Sequence, residues 1–232
     1  MSTPYFRFKR FTIYHDHCAM KVGTDGVLLG AWSKVDGKRI LDIGTGSGLV
    51  ALMVAQRCVE AEVVGVEIDK DAALQAIENV ERSPFNSRVT IVNQDIRNLE
   101  MEYFDCILCN PPFFTENTLP DDAGRALARN VSSLNFNDLL EAVMRLLSYN
   151  GYFSVILPYK SYKTFVTNAF MKGLNVIRQC EVLTLPHKVP KRVLLTFSRD
   201  GQVSCMIEKL VLQTSNGNRT KEYEELTKEF YL

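Results

Sequence analysis

With 232 residues, 46% of them hydrophobic, the chain is long enough to bury roughly 70–75% of its unfolded surface in one sizeable α/β domain. Its 27 basic and 27 acidic residues cancel and the pI is near 6.8, which excludes a chromatin-style, whole-surface nucleic-acid binder, so any polynucleotide must be held by a local basic patch. No apolar run reaches the roughly 18 residues of a membrane span, and the N-terminus carries Arg7, Lys9 and Arg10 among aromatics in place of a signal-peptide core, so a soluble, cytoplasmic protein without membrane contact is expected.

Tyr5 to Tyr14 alternates apolar Phe6, Phe8, Phe11 and Ile13 with polar Arg7, Lys9 and Thr12, the period of a half-buried strand or hairpin. Cys18 to Trp32 reads as a strap, with Thr24-Asp25 placed to cap a short helix carrying Val27, Leu28 and Trp32. From Arg39 the chain alternates strands and helices, the pattern of a parallel sheet with helices on both faces. Strands are predicted at Arg39 to Ile43, Glu62 to Glu67, Arg88 to Asn93, Phe104 to Cys109 and Tyr152 to Leu157. Helices are predicted at Leu49 to Arg57, Asp71 to Arg82, Asn137 to Leu147 and Ser161 to Lys172, the last closed by Gly173. Leu174 to Leu185 and Arg192 to Arg199 suit an antiparallel pair at the sheet edge. Val203 to Gln213 offers a further strand, and Tyr223, Leu226 and Phe230 share one face of a terminal helix.

Four strand ends carry chemistry, and in an open parallel sheet ligands bind beyond the carboxyl ends of strands. After Asp42 come Gly44, Gly46 and Gly48, a turn whose backbone a ligand can approach closely. A dinucleotide fingerprint needs its third glycine where Leu49 stands, so the spacing points to another nucleotide ligand. Alone, such a cluster is also compatible with a mere tight connection. Glu67 ends the second strand, where a carboxylate can accept from both hydroxyls of a ribose. Asp95, followed by Ile96, ends the third and can accept from an adenine amino group. The fourth ends in Asn110-Pro111-Pro112-Phe113. Two prolines fix the backbone, the Asn110 oxygen and Pro111 carbonyl offer two acceptors, and Phe113 offers a flat face, which together suit a planar group bearing an NH2.

The six cysteines point to neither disulfides nor a metal. Cys106 and Cys109 form a C-x-x-C inside a buried strand, where odd spacing sends the two side chains to opposite faces. His15 and His17 have no third ligand nearby, so no metal is expected. The local basic patches are Arg7, Lys9 and Arg10, then Lys160 and Lys163, then Lys188, Lys191 and Arg192. The first and third flank the aromatic N-terminus and the two-proline turn 186–191, and are expected at the cleft rim on RNA phosphates.

Asp-x-Gly-x-Gly-x-Gly with Asn-Pro-Pro-Phe resembles the class I methyltransferases that modify planar amino nitrogens, either adenine N6 or glutamine amides. Segments 18–32, 79–85, 185–197 and 230–232 together resemble the bacterial tRNA1(Val) adenine-N6-methyltransferase family, which modifies the adenine just 3′ of the anticodon. Phe113 stands where a tyrosine is often found in such motifs. The resemblance implies a Rossmann-like, mostly parallel seven-stranded sheet with an antiparallel edge pair, in a single domain. Its parts are a strand-and-strap extension (1–36), the cofactor-binding core (37–200) and a C-terminal strand and helix (201–232). It further implies S-adenosylmethionine held by Asp42, Gly44, Gly46, Gly48, Glu67, Asp95, Ile96 and Asn110, catalysis by Asn110, Pro111 and Phe113, a tRNA anticodon stem-loop as partner, and a monomer. A protein-glutamine N5-methyltransferase and a non-catalytic cofactor- or RNA-binding module remain alternatives at this point.

Overall fold

The computed structural model describes residues 3–18, 20–111, 134–201 and 204–232. Strands β1 (Tyr5–Arg7) and β2 (Thr12–Tyr14) form an antiparallel hairpin, and α1 (Thr24–Trp32) follows. Then come β3 (Arg39–Ile43), α2 (Leu49–Arg57), β4 (Glu62–Glu67), α3 (Lys70–Glu81), β5 (Val89–Asn93) and β6 (Phe104–Cys109). The second half holds α4 (Phe136–Leu146), β7 (Leu147–Pro158), α5 (Tyr162–Met171), β8 (Asn175–Leu183), β9 (Arg192–Ser198), β10 (Met206–Val211) and α6 (Lys221–Thr227).

The main sheet has eight strands in the order β10-β8-β9-β7-β6-β3-β4-β5. Only β9 runs against its neighbours, β7 and β8. The seven expected strands are present, and β10 adds an eighth, parallel to β8. The antiparallel pair β8–β9 therefore does not form the edge, because β10 satisfies the outer hydrogen-bonding groups of β8. The chain runs outward through β3, β4 and β5 and returns to β6 on the other side of β3, so the switch point lies between β3 and β6. Ile43 pairs with Cys109, so the residues after them, Gly44 and Asn110, leave the sheet side by side.

One face is covered by α1, α2, the hairpin aromatics Phe8 and Phe11, and α6; the other by α4 and α5. The strand period makes this division: Cys106 packs in the first layer and Cys109 in the second. In the second, Phe153 stacks on Phe197 at 5.7 Å and both meet Phe165, pairs worth about 0.5–1.5 kcal/mol each beyond their burial. Helix α1 approaches α2 closely through Gly30, where a Cβ would lie 2.7 Å from Met53 Sδ. Its N-cap is Gly23, with no side-chain cap bond, so Thr24-Asp25 does not cap as expected. Asp25 turns instead to Arg192, 2.9 Å away.

Two arginines close the helix ends. Arg88 donates to the carbonyls of Ala55, Cys58 and Ala61 after α2, and Arg57 to those of Gly30 and Ser33 after α1. Each places a cation on carbonyls that have no partner within the helix. Strand β7 starts at Leu147, five residues before the predicted Tyr152. Its register against β6 shifts near Phe104, and Gly151 permits the close approach, since a Cβ there would lie 2.8 Å from the Asp105 carbonyl oxygen.

Candidate functional site

A cavity of about 670 Å³ opens beyond the carboxyl ends of β3, β4, β5 and β6, roofed on one side by strap residues Cys18 and 20–26. That volume lies in the roughly 300–1,000 Å³ range of small-ligand sites. Its floor is the glycine turn. The amides of Gly44 and Thr45 donate to the Val66 carbonyl at 2.9 and 3.1 Å, which folds the turn back over β4. Gly44 and Gly46 have φ of 68° and 55°, in the left-handed region that disfavours side chains, and a Cβ on either would meet nothing within 4 Å. The turn thus leaves open space directly against main chain. Gly48 caps α2 from the left-handed region, packed on Ala76 of α3.

Asp42 lines the cavity but is 2% exposed, and one oxygen accepts from Thr45 Oγ1 at 2.6 Å and the Ala51 amide at 3.2 Å. It ties the turn to the first coil of α2. Burial pushes its carboxyl up to about 7, against the two hydrogen bonds that favour the anion. Glu67 reaches the turn from the end of β4: Oε2 accepts from the Gly46 amide at 2.9 Å and Oε1 from the Asp69 amide at 3.0 Å. Each oxygen keeps a second lone pair, so the carboxylate can still accept two hydroxyls. Asp95 and Ile96 line the far wall. The Asp95 carboxylate is gripped by Arg97, with Nη2 at 2.5 Å, and this pairing holds it below the usual carboxylate range. Its expected amino-group partner would share it with that guanidinium.

At the end of β6, Asn110 and Pro111 line the cavity. Among the described residues, the buried Asn110 Oδ1 has no hydrogen-bond partner and Nδ2 has only Met20 Sδ at 4.0 Å. Phe113 lies outside the described residues, as do Pro112 and the loop that follows. An open main-chain turn, a carboxylate with spare acceptor capacity and an unpaired amide oxygen fit a nucleoside ligand beside an amino-bearing one. Cys18 and Cys109 line the same cavity, but burial raises both thiols, Cys18 to about 11, so neither is an activated nucleophile. Among the described residues no group of His, Cys, Asp and Glu is placed to hold a metal ion, and no helix is long and apolar enough to cross a membrane.

Several supporting residues carry no motif signal. A Cβ on Gly65 would lie 2.9 Å from Thr45 Oγ1 and 2.8 Å from Ile91, so glycine there makes room for the turn. Asn79 of α3 sews the hairpin to the turn: it accepts from the Tyr14 amide at 2.9 Å and donates to the carbonyls of Tyr14 (2.8 Å) and Ser47 (2.9 Å). Arg145 of α4 donates to the carbonyls of Ile96 and Leu99, fixing the loop after β5.

The basic segments divide. Lys9 donates to the Lys228 carbonyl and Arg10 lies over the Phe85 ring, so both are engaged with neighbouring segments of the chain, and neither lines the cavity. Arg7 is exposed on the same hairpin. Lys188 and Lys191 are exposed in the turn before β9, which lies at the cavity end because Arg192 pairs with Pro158 at the close of β7. Arg192 itself is held by Asp25.

Residues 18–170 match the methyltransferase small domain family. Over its whole length the chain is 49% identical to a tRNA1(Val) (adenine(37)-N6)-methyltransferase of Bacteroides fragilis, covering 99% of that protein. It is 42% identical to one of Tolumonas auensis, over 98% of this chain and 96% of that protein. A predicted O-methyltransferase of Agrobacterium tumefaciens shares the fold, with a TM-score of 0.70 at 19% identity over 89% of this chain and 96% of its own.

Proposed function

The chain belongs to the tRNA1(Val) (adenine(37)-N6)-methyltransferase family, and from that membership we propose that it methylates N6 of the adenine just 3′ of the anticodon of tRNA1(Val), using S-adenosylmethionine. The observation that carries this reading is the buried, unpaired Oδ1 of Asn110 on the cavity wall. A buried acceptor without a partner costs about 1–3 kcal/mol, a cost that a bound amino group removes.

Bound S-adenosylmethionine supplies an electrophilic methyl carbon on a positively charged sulfur. Glu67 would accept from its ribose hydroxyls, the open space against the main chain of Gly44 and Gly46 would admit it close to the turn, and Ile96 would pack on its adenine. Asp42 works from behind by holding the turn. The N6 lone pair of the target adenine is delocalised into its ring and is a weak nucleophile. Hydrogen bonds from its two protons to Asn110 Oδ1 and the Pro111 carbonyl favour the pyramidal nitrogen of the transition state, and orientation against the methyl carbon supplies much of the remaining acceleration. Neither acceptor is basic enough to keep a proton, so the proton released goes to water. A base inside the cavity must be flipped from its stack, with Phe113 as the stacking face. The exposed lysines 188 and 191 contact phosphates, and the cytoplasm is the compartment expected of an enzyme that modifies tRNA.

The test is transfer of labelled methyl from S-adenosylmethionine to unmodified tRNAs, with a release-factor protein in parallel, followed by nucleoside analysis. Label in N6-methyladenosine of tRNA1(Val) is the expected result. Label in the protein alone would move the assignment to glutamine N5.

A further inference from the structure

A second cavity, of about 420 Å³, adjoins the first across the start of α1: Thr24 and Asp25 line both. Its other walls include Lys191, Gln213, Arg219 and Tyr231. The electrostatics of this space are one-sided. Asp25 is already matched by Arg192 at 2.9 Å, while Lys191 and Arg219 are exposed and take part in no ion pair among the described residues. Two uncompensated cations therefore face one small cavity. Arg219 is also held in place: its guanidinium lies 4.3 Å from the centroid of the Tyr231 ring, and its backbone bridges to Gln213. A planar donor fork fixed against an aromatic ring has little left to lose in binding an anion, and it suits a phosphate better than a freely rotating lysine would. Thr24 and Gln213 add a hydroxyl and an amide, which match sugar oxygens.

Resting on the reading that RNA is the substrate, we propose that this cavity is a subsite for the phosphate and sugar of a nucleotide adjoining the target adenosine, with Arg219 and Lys191 on the phosphate. The shared wall makes the geometry coherent: a strand whose flipped base enters the first cavity passes over Thr24 and Asp25 to reach the second. Such a grip sets the register of the strand without reading a base. It also resists withdrawal of the flipped nucleotide, whose unstacking must be offset by contacts on either side.

The experiment measures binding of anticodon stem-loop RNA over a salt series, with methyl transfer and cofactor binding beside it, for wild type, Arg219→Ala, Arg219→Lys and Lys191→Ala. Arg219→Ala is expected to weaken RNA binding about five- to tenfold and to flatten the log–log salt slope by about 0.7, the value of one single-strand phosphate contact. Cofactor affinity stays at the wild-type value. Arg219→Lys recovers the slope and only part of the affinity, which a purely structural role for Arg219 does not produce. Lys191→Ala, at an exposed site, repeats the flattened slope if Arg219→Ala fails to fold. Wild-type methylation of tRNA with unchanged RNA affinity and slope in the alanine variants overturns the subsite alone, whereas no transfer to tRNA by wild type overturns the substrate reading beneath it.

Discussion

Replacing Asn110 by alanine separates a catalytic acceptor from a structural one, because the two roles predict opposite changes in stability. Among the described residues of the free protein, Oδ1 is buried without a partner and Nδ2 makes only the 4.0 Å contact to Met20. An unpaired buried acceptor costs about 1–3 kcal/mol, so removing it relieves more than the lost contact contributes. The variant should be as stable as wild type or more so by about 1 kcal/mol, equivalent to a rise in Tm of about 2–4 °C for a chain of this size. In the transition state the same deletion removes a preorganised acceptor from the reacting nitrogen. By analogy with the loss of one oxyanion-hole donor, that costs about 2.7–4 kcal/mol, or 10²–10³ in kcat. Calorimetry should show cofactor affinity largely kept. The assay is labelled methyl transfer to unmodified tRNA at saturating substrates, with thermal unfolding of the same preparations. Turnover within threefold of wild type would refute the role of Oδ1 in the chemistry. A Tm lower by several degrees would refute its being unpaired.

The remaining expectations concern the turn, its support and the rim. Glu67→Ala should weaken S-adenosylmethionine binding by about 1.5–3 kcal/mol, since a charged acceptor for the ribose is lost; unchanged affinity by calorimetry removes Glu67 from the site. Asp42 has its folded pKa raised by burial from 3.8 to about 7, so the folded state holds a proton that the unfolded state has released, and stability falls as pH rises through that window. Asp42→Asn abolishes this slope and gains Tm relative to wild type between pH 5 and pH 8; a Tm difference that does not change with pH contradicts the buried-carboxyl argument. Gly65→Ala forces a Cβ against Thr45 and Ile91 and should cost about 1–3 kcal/mol together with cofactor affinity, whereas a silent substitution means the turn has room to shift. Lys188→Glu with Lys191→Glu should lower RNA affinity several-fold and flatten the salt slope by about 1.4, with cofactor affinity unmoved. An equal slope marks that turn as ordinary solvated surface.

What was legible in the sequence is what depends on residues adjacent in the chain. Glycines at Gly44 and Gly46 announce a left-handed turn because backbone sterics are local, and Asn110-Pro111 announces a rigid strand end for the same reason. The period of two put Cys106 and Cys109 on opposite faces before any contact was known. The partners of charges were not legible, because they are chosen by packing between distant segments. Arg192 pairs with Asp25 and Arg145 grips the loop after β5, each across long stretches of chain. Lys9 is drawn to the Lys228 carbonyl and Arg10 to the Phe85 ring, since the hairpin buries Phe8 and Phe11 against that face of the sheet. Likewise β10 joins as the outermost strand because β8 offers an unpaired edge, a vacancy that exists only once the sheet has formed. Local dihedral and periodic preferences thus determined the elements and the strand-end chemistry. Only the tertiary structure decided which charges remain available to a ligand, because a charge is free or spent according to what packs beside it.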